Sequence, residues 1–75
     1  MSVQLIPVGL IRPYFPAETV PIEVGEGKTT EQVLTELGVN SDLVAMVLIN
    51  GRQAAKDTPL RDGDVVKLIP FVGGG

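Results

Sequence analysis

The chain has 75 residues, no cysteine, no histidine and a net charge of −3, with six Lys and Arg against nine Asp and Glu. That composition excludes disulfide staples and thiolate metal sites, removes the commonest general base, and argues against a nucleic-acid surface, which needs a basic face. One domain of this length has a small core, and Val, Leu and Ile must fill it, because Tyr14, Phe15 and Phe71 are the only aromatic residues.

No apolar stretch approaches the roughly 20 residues of a membrane span. The start, "MSVQLIPVGL", carries neither a basic region nor a small-residue cleavage site, so a cytoplasmic location without a signal peptide is expected. Residues 3–8 are apolar apart from Gln4 and predict a first strand. Pro13 and Pro16 mark the connection "IRPYFPAE". The segment "TVPIEV", residues 19–24, predicts a second strand, placed at a sheet edge because Pro21 has no ladder donor. Next, "GKTTEQVLTELG" predicts the one convincing helix, over 30–37. Thr29 and Gln32 form a capping box, Val33, Leu34 and Leu37 fall on one face, and Gly38 closes the helix in the left-handed conformation. Residues 45–49 predict a third strand, Asn50-Gly51 a tight hairpin turn, and 52–54 a short returning strand. A turn in "PLRDGD" then leads to the last strand, 65–70. This order is most economically an α+β domain over 1–70, with the helix on one face of a mixed sheet, followed by a flexible Gly-rich tail at 71–75.

Two motifs invite a chemical reading and fail it. "GEGKTT" looks like part of a phosphate-binding loop, but the full motif needs a glycine five positions before Gly27, where Ile22 stands. The start of a helix explains the stretch better. Asp62 and Asp64 flank Gly63, yet two carboxylates are too few for a calcium loop, and Asp-Gly is what a tight turn wants. Thr30, Glu31 and Glu36 read as the solvated face of the helix.

The strands are more informative. On the last one, Val66 and Leu68 share a face while Val65, Lys67 and Ile69 share the other, and the lysine says that this second face meets water. The first strand sets Val3 and Leu5 against Gln4, Ile6 and Val8 in the same way. One helix covers only one face. Ile6, Val8, Val65, Lys67 and Ile69 are therefore a candidate docking surface, unless the connection "RPYFPAE" folds over it. The chain ends "PFVGGG". Glycine is the costliest residue to order, so this end is either untied or deliberately slender, with a bare carboxylate at its tip.

Together these parts resemble the β-grasp sulfur carriers, the small subunit of molybdopterin synthase (MoaD) and the thiamine-pathway carrier (ThiS). The resemblance is carried by Leu60, Asp62, Gly63 and Asp64 in an L-x-D-G-D turn, by the strand "VVKLIP", and by Gly74-Gly75. "LIPFVGGG" looks closest to the molybdopterin-type ending, departing from it at Phe71, where a second proline is usual, and in the added Gly73. The resemblance implies a ubiquitin-like β-grasp fold with parallel first and last strands. It also implies a carrier with no catalytic residue, metal or cofactor of its own. In such carriers a ubiquitin-activating-type enzyme uses ATP and magnesium to adenylate the terminal carboxylate, here that of Gly75. A sulfur donor then converts it to a thiocarboxylate, which a synthase subunit consumes. Phe71, Val72, Gly73 and Gly74 would thread the partner's active site, and residues 71–75 fully extended span about 17 Å. A ubiquitin-like protein modifier and an interaction module with an inert tail remain alternatives at this point.

Overall fold

The computed structural model describes residues 1–71. Five strands, β1 (Ser2–Pro7), β2 (Val20–Glu23), β3 (Val44–Ile49), β4 (Arg52–Ala54) and β5 (Val65–Pro70), form one sheet in the order β2-β1-β5-β3-β4. The helix α1 spans Thr30–Glu36, and two 3₁₀ segments, Gly9–Tyr14 and Ser41–Leu43, lie in the connections. β1 and β5 pair in parallel at the centre, and the other pairings are antiparallel. This is the mixed sheet with one main helix that the sequence pattern predicts.

The capping box forms as read: Thr29 Oγ1 accepts from the Gln32 N–H at 3.2 Å, and Gln32 Oε1 accepts from the Thr29 N–H at 2.9 Å. Two helix assignments are corrected. Thr30, read as solvated, is fully buried. It stands three and four residues before Val33 and Leu34, so it lies on their face, and spacing overrides the polarity of its side chain. Leu37, placed on the apolar face, is 40% exposed. The seven-residue helix ends before it, and Leu37 becomes the C-cap, beyond the last buried turn.

Val3 and Leu5 of β1, Val66 and Leu68 of β5, Val44 and Val47 of β3, and Val33 and Leu34 of α1 are buried in one core. The connection after β1 contributes Ile11 and Phe15 to that same core. At the β2 edge, the Gln4 N–H donates to the Asp64 carbonyl, so Gln4 turns its backbone toward β5 and its partner Pro21 turns outward. The donor that proline lacks therefore falls on the solvent side, where it blunts a free edge.

β3 begins one residue before the predicted start and contains a bulge between Val44 and Met46. Val44 sits opposite Pro70, Met46 opposite Ile69, and Leu48 opposite Lys67. The extra residue, Ala45, flips the alternation, so Met46 and Leu48 point away from the core while Val44 and Val47 point into it. At the turn that follows, Asn50 has φ 53° and Gly51 φ 83°. Two consecutive positive φ values are what a two-residue turn needs to match the twist of its strands, and asparagine and glycine tolerate them.

Candidate functional site

The face of the sheet away from the core is built from three strands. β5 supplies Val65, Lys67 and Ile69, the β1 side supplies Ile6 and, just past the strand, Val8, and β3 supplies Met46 and Leu48. Lys67 lies between Ile6 on one side and Leu48 on the other. Ile6, Val8, Val65 and Ile69 are half-buried, none belongs to the core cluster, and Lys67 is exposed. The connection that could have covered this face instead sends Ile11 and Phe15 into the core shared with Val33 and Leu34. Met46 and Leu48 escape a reading of the sequence alone, because their side depends on the register of β3 against β5 and on the bulge.

β5 runs out from the centre of the sheet through Pro70 to Phe71, which is 62% exposed. The expectations placed on Val72, Gly73, Gly74 and Gly75 lie outside the described residues.

The acidic turn before β5 has a structural task. Asp62 Oδ1 accepts from the Ser2 N–H at 2.6 Å. Asp64 Oδ1 accepts from Asn50 Nδ2 at 2.9 Å, and its Oδ2 accepts from the Arg61 N–H at 2.8 Å. The Asp64 bonds tie the β3–β4 turn to the start of β5 and engage both of its carboxylate oxygens, and the Asp62 bond ties the acidic turn to the start of β1. Among the described residues no group of three or more acidic side chains is placed to hold a metal. The "GEGKTT" stretch is likewise structural: Lys28 pairs with Glu36 at 2.9 Å, and its carbonyl accepts from the Leu60 N–H.

A helix laid on one face of a five-stranded mixed sheet, with the first and last strands parallel at its centre and the other face open, is the ubiquitin-like β-grasp architecture. SAMP1 from Haloferax volcanii has this fold, with a TM-score of 0.73 and 24% identity over 100% of both chains. The chain belongs to the ThiS family, whose model matches residues 11–75. A sulfur carrier protein ThiS from Thermus thermophilus is 46% identical over 54 residues, which are 67% of this chain and 83% of that protein. A complex of subunits 1 and 2 of molybdopterin-converting factor from Helicobacter pylori contains a chain 30% identical, with a TM-score of 0.61 and 100% of both chains covered. Both branches of the resemblance, ThiS and MoaD, are thus represented among its relatives, and the chain is a ThiS/MoaD-like sulfur carrier of the ubiquitin-like fold.

Proposed function

We propose that the carboxylate of Gly75 is the site of chemistry. A carboxylate oxygen attacks the α-phosphate of ATP in a ubiquitin-activating-type enzyme, pyrophosphate leaves, and an acyl-adenylate forms. A sulfide-level nucleophile from the donor then attacks the carbonyl carbon, and AMP departs with the oxygen, leaving a thiocarboxylate. The observation that carries this reading is the family match, which runs to residue 75 and takes in Gly74-Gly75. The composition supports it: a chain without histidine or cysteine has neither of the usual general bases or nucleophiles to activate its own end. ATP, magnesium and the groups that stabilise the leaving phosphate belong to the partner.

The open face supports the same reading energetically. Ordering residues 71–75 in a tunnel costs about 1–2 kcal/mol each, or about 5–10 kcal/mol. At about 25 cal/mol per Å², burying on the order of 200–400 Å² of apolar surface offsets that cost. Glycines contribute little of it. Phe71 and Val72, with Ile6, Val8, Val65 and Ile69, are the natural source, joined on the described sheet by Met46 and Leu48.

The ending "PFVGGG" favours a molybdopterin-type destination for the sulfur, whereas the identity with the Thermus ThiS protein favours a thiamine-type one. Both share the first step. Incubating the protein with each candidate adenylating enzyme of its source organism, ATP, magnesium and sulfide should replace one oxygen by sulfur in the intact mass. The synthase that consumes the product then identifies the pathway. If neither a thiocarboxylate nor an adenylate forms with any such enzyme, the proposal fails. Appearance of the activated carboxylate as an amide on another protein's lysine would make the chain a modifier.

A further inference from the structure

Of the six Lys and Arg side chains, four have a partner or a place on the open face. Lys28 pairs with Glu36, Lys56 Nζ donates to the Ser41 carbonyl at 2.8 Å, Arg12 Nη1 donates to the Phe15 carbonyl at 3.2 Å, and Lys67 stands on the open sheet face. Arg52 and Arg61 are exposed, and among the described residues neither guanidinium makes a hydrogen bond or an ion pair. Both line one cleft of about 710 Å³, with Ile49, Ala54 and Pro59 as apolar neighbours. Asp64 is the one acidic residue in its wall, and its two carboxylate oxygens are already engaged by Asn50 and by the Arg61 N–H. The cleft lies on the core side of the sheet: Arg52 pairs with Ile49, and Ile49 and Ala54 pack against the core. Arg61 precedes β5 and Phe71 follows it, so the six residues of that strand, about 20 Å, separate the cleft from the root of the tail.

The same cleft borders a free backbone edge. β4 is the last strand of the sheet. The Asn50 N–H donates to the Val65 carbonyl, so Leu48, two residues earlier, also turns its backbone toward β5. Its partner Gln53 therefore turns its N–H and C=O away from β3, to the outer rim of the sheet. We propose that this cleft is a second docking site, distinct from the open sheet face, which takes an extended acidic segment of a partner protein. The segment adds as a strand beside β4, and its carboxylates, recurring on one face, meet the guanidiniums of Arg52 and Arg61. The net charge of −3 does not oppose this, because exposed charges more than about 8 Å away are largely screened at physiological salt. Because the cleft and the open face lie on opposite sides of the sheet, both can be occupied at once. The inference does not depend on the chemistry at Gly75.

The test is amide NMR shift mapping of the full chain against the end-blocked peptide SEVEVES, whose glutamates share one face of an extended strand, and against its uncharged control SQVQVQS. The acidic peptide should give saturable shifts at residues 49–54 and 58–61, protect the Gln53 amide from hydrogen exchange, and leave Ile6, Lys67 and Ile69 unmoved. Arg52→Gln and Arg61→Gln should keep the wild-type melting temperature and each weaken binding about two- to fivefold, as loss of an exposed charge pair does. Added salt should weaken the wild-type complex, and the control peptide should bind more weakly at every salt concentration. Absence of saturable shifts, equal binding by both arginine variants, or equal binding of the control overturns the proposal. Shifts centred on Lys67 and Ile69 overturn it as well, since they place the peptide on the open face. An unprotected Gln53 amide overturns the added strand. Concentration-dependent shifts of the same residues in the protein alone would put a second copy of the chain in the cleft and overturn the acidic partner.

Discussion

Asp64 is a carboxylate with a wholly structural task. It is only 8% exposed, and its oxygens hold the Asn50 side chain and the Arg61 backbone, while Asn50 Oδ1 accepts from the Val65 N–H at 2.9 Å. Asp64→Ala leaves the side-chain amide of Asn50 and the Arg61 N–H without their acceptor and should cost about 1–3 kcal/mol. Asn50→Ala should cost a similar amount, with added strain because alanine must adopt φ 53°. Thermal melts of both single variants and the double should be clearly non-additive, and strict additivity would mean that the two side chains are not coupled. Thr30 is the opposite case, a buried hydroxyl with no hydrogen-bond partner among the described residues. Thr30→Val keeps its shape and removes the unsatisfied group, so stability should rise by up to about 1 kcal/mol in denaturant unfolding. The buried position of Thr30 was legible in its spacing from Val33 and Leu34, and residue polarity was the misleading signal.

At the level of elements, alternation on β5 makes a sharp contrast between neighbours. Leu68 is fully buried against the core, so Leu68→Asp places an unpaired charge there and should unfold the domain by circular dichroism. Ile69 lies on the open face opposite Met46, so Ile69→Asp should keep a native melt while sharply reducing thiocarboxylate formation. The reverse pattern, with Ile69→Asp unfolded and Leu68→Asp folded, would mean the faces are assigned backwards. β1, β5 and α1 were readable because each obeys one undisturbed period, and the capping box and Asn50-Gly51 turn are short-range chemistry. β3 was readable only as a strand. Its bulge arises from pairing with β5 and decides that Met46 and Leu48, rather than Val44 and Val47, face outward.

For the molecule as a whole, the proposed chemistry at Gly75 makes the distance from sheet to carboxylate the dimension to test. Adenylation needs the reacting atoms within about 3–3.5 Å, and one residue more or less moves the terminal carbon by about 3.8 Å. Deleting Gly75, which still leaves a terminal glycine, or adding one residue after it should therefore reduce loading by at least about 100-fold with no change in melting temperature. Undiminished loading of the chain ending at Gly74 would show that the partner tolerates slack, and that the added Gly73 supplies it. The sequence by itself determined the elements and their order, the helix start, the hairpin turn, and the family resemblance carried by "LRDGD" and the terminal glycines, because each depends on residues close together in the chain. Only the tertiary structure decided that the connection after β1 packs into the core and leaves the opposite face open. It alone turned Met46 and Leu48 onto that face and set Gly9 against Pro70 at the end of β5. These outcomes depend on strand register and on the contact of Gly9 with Pro70, which join residues far apart in sequence.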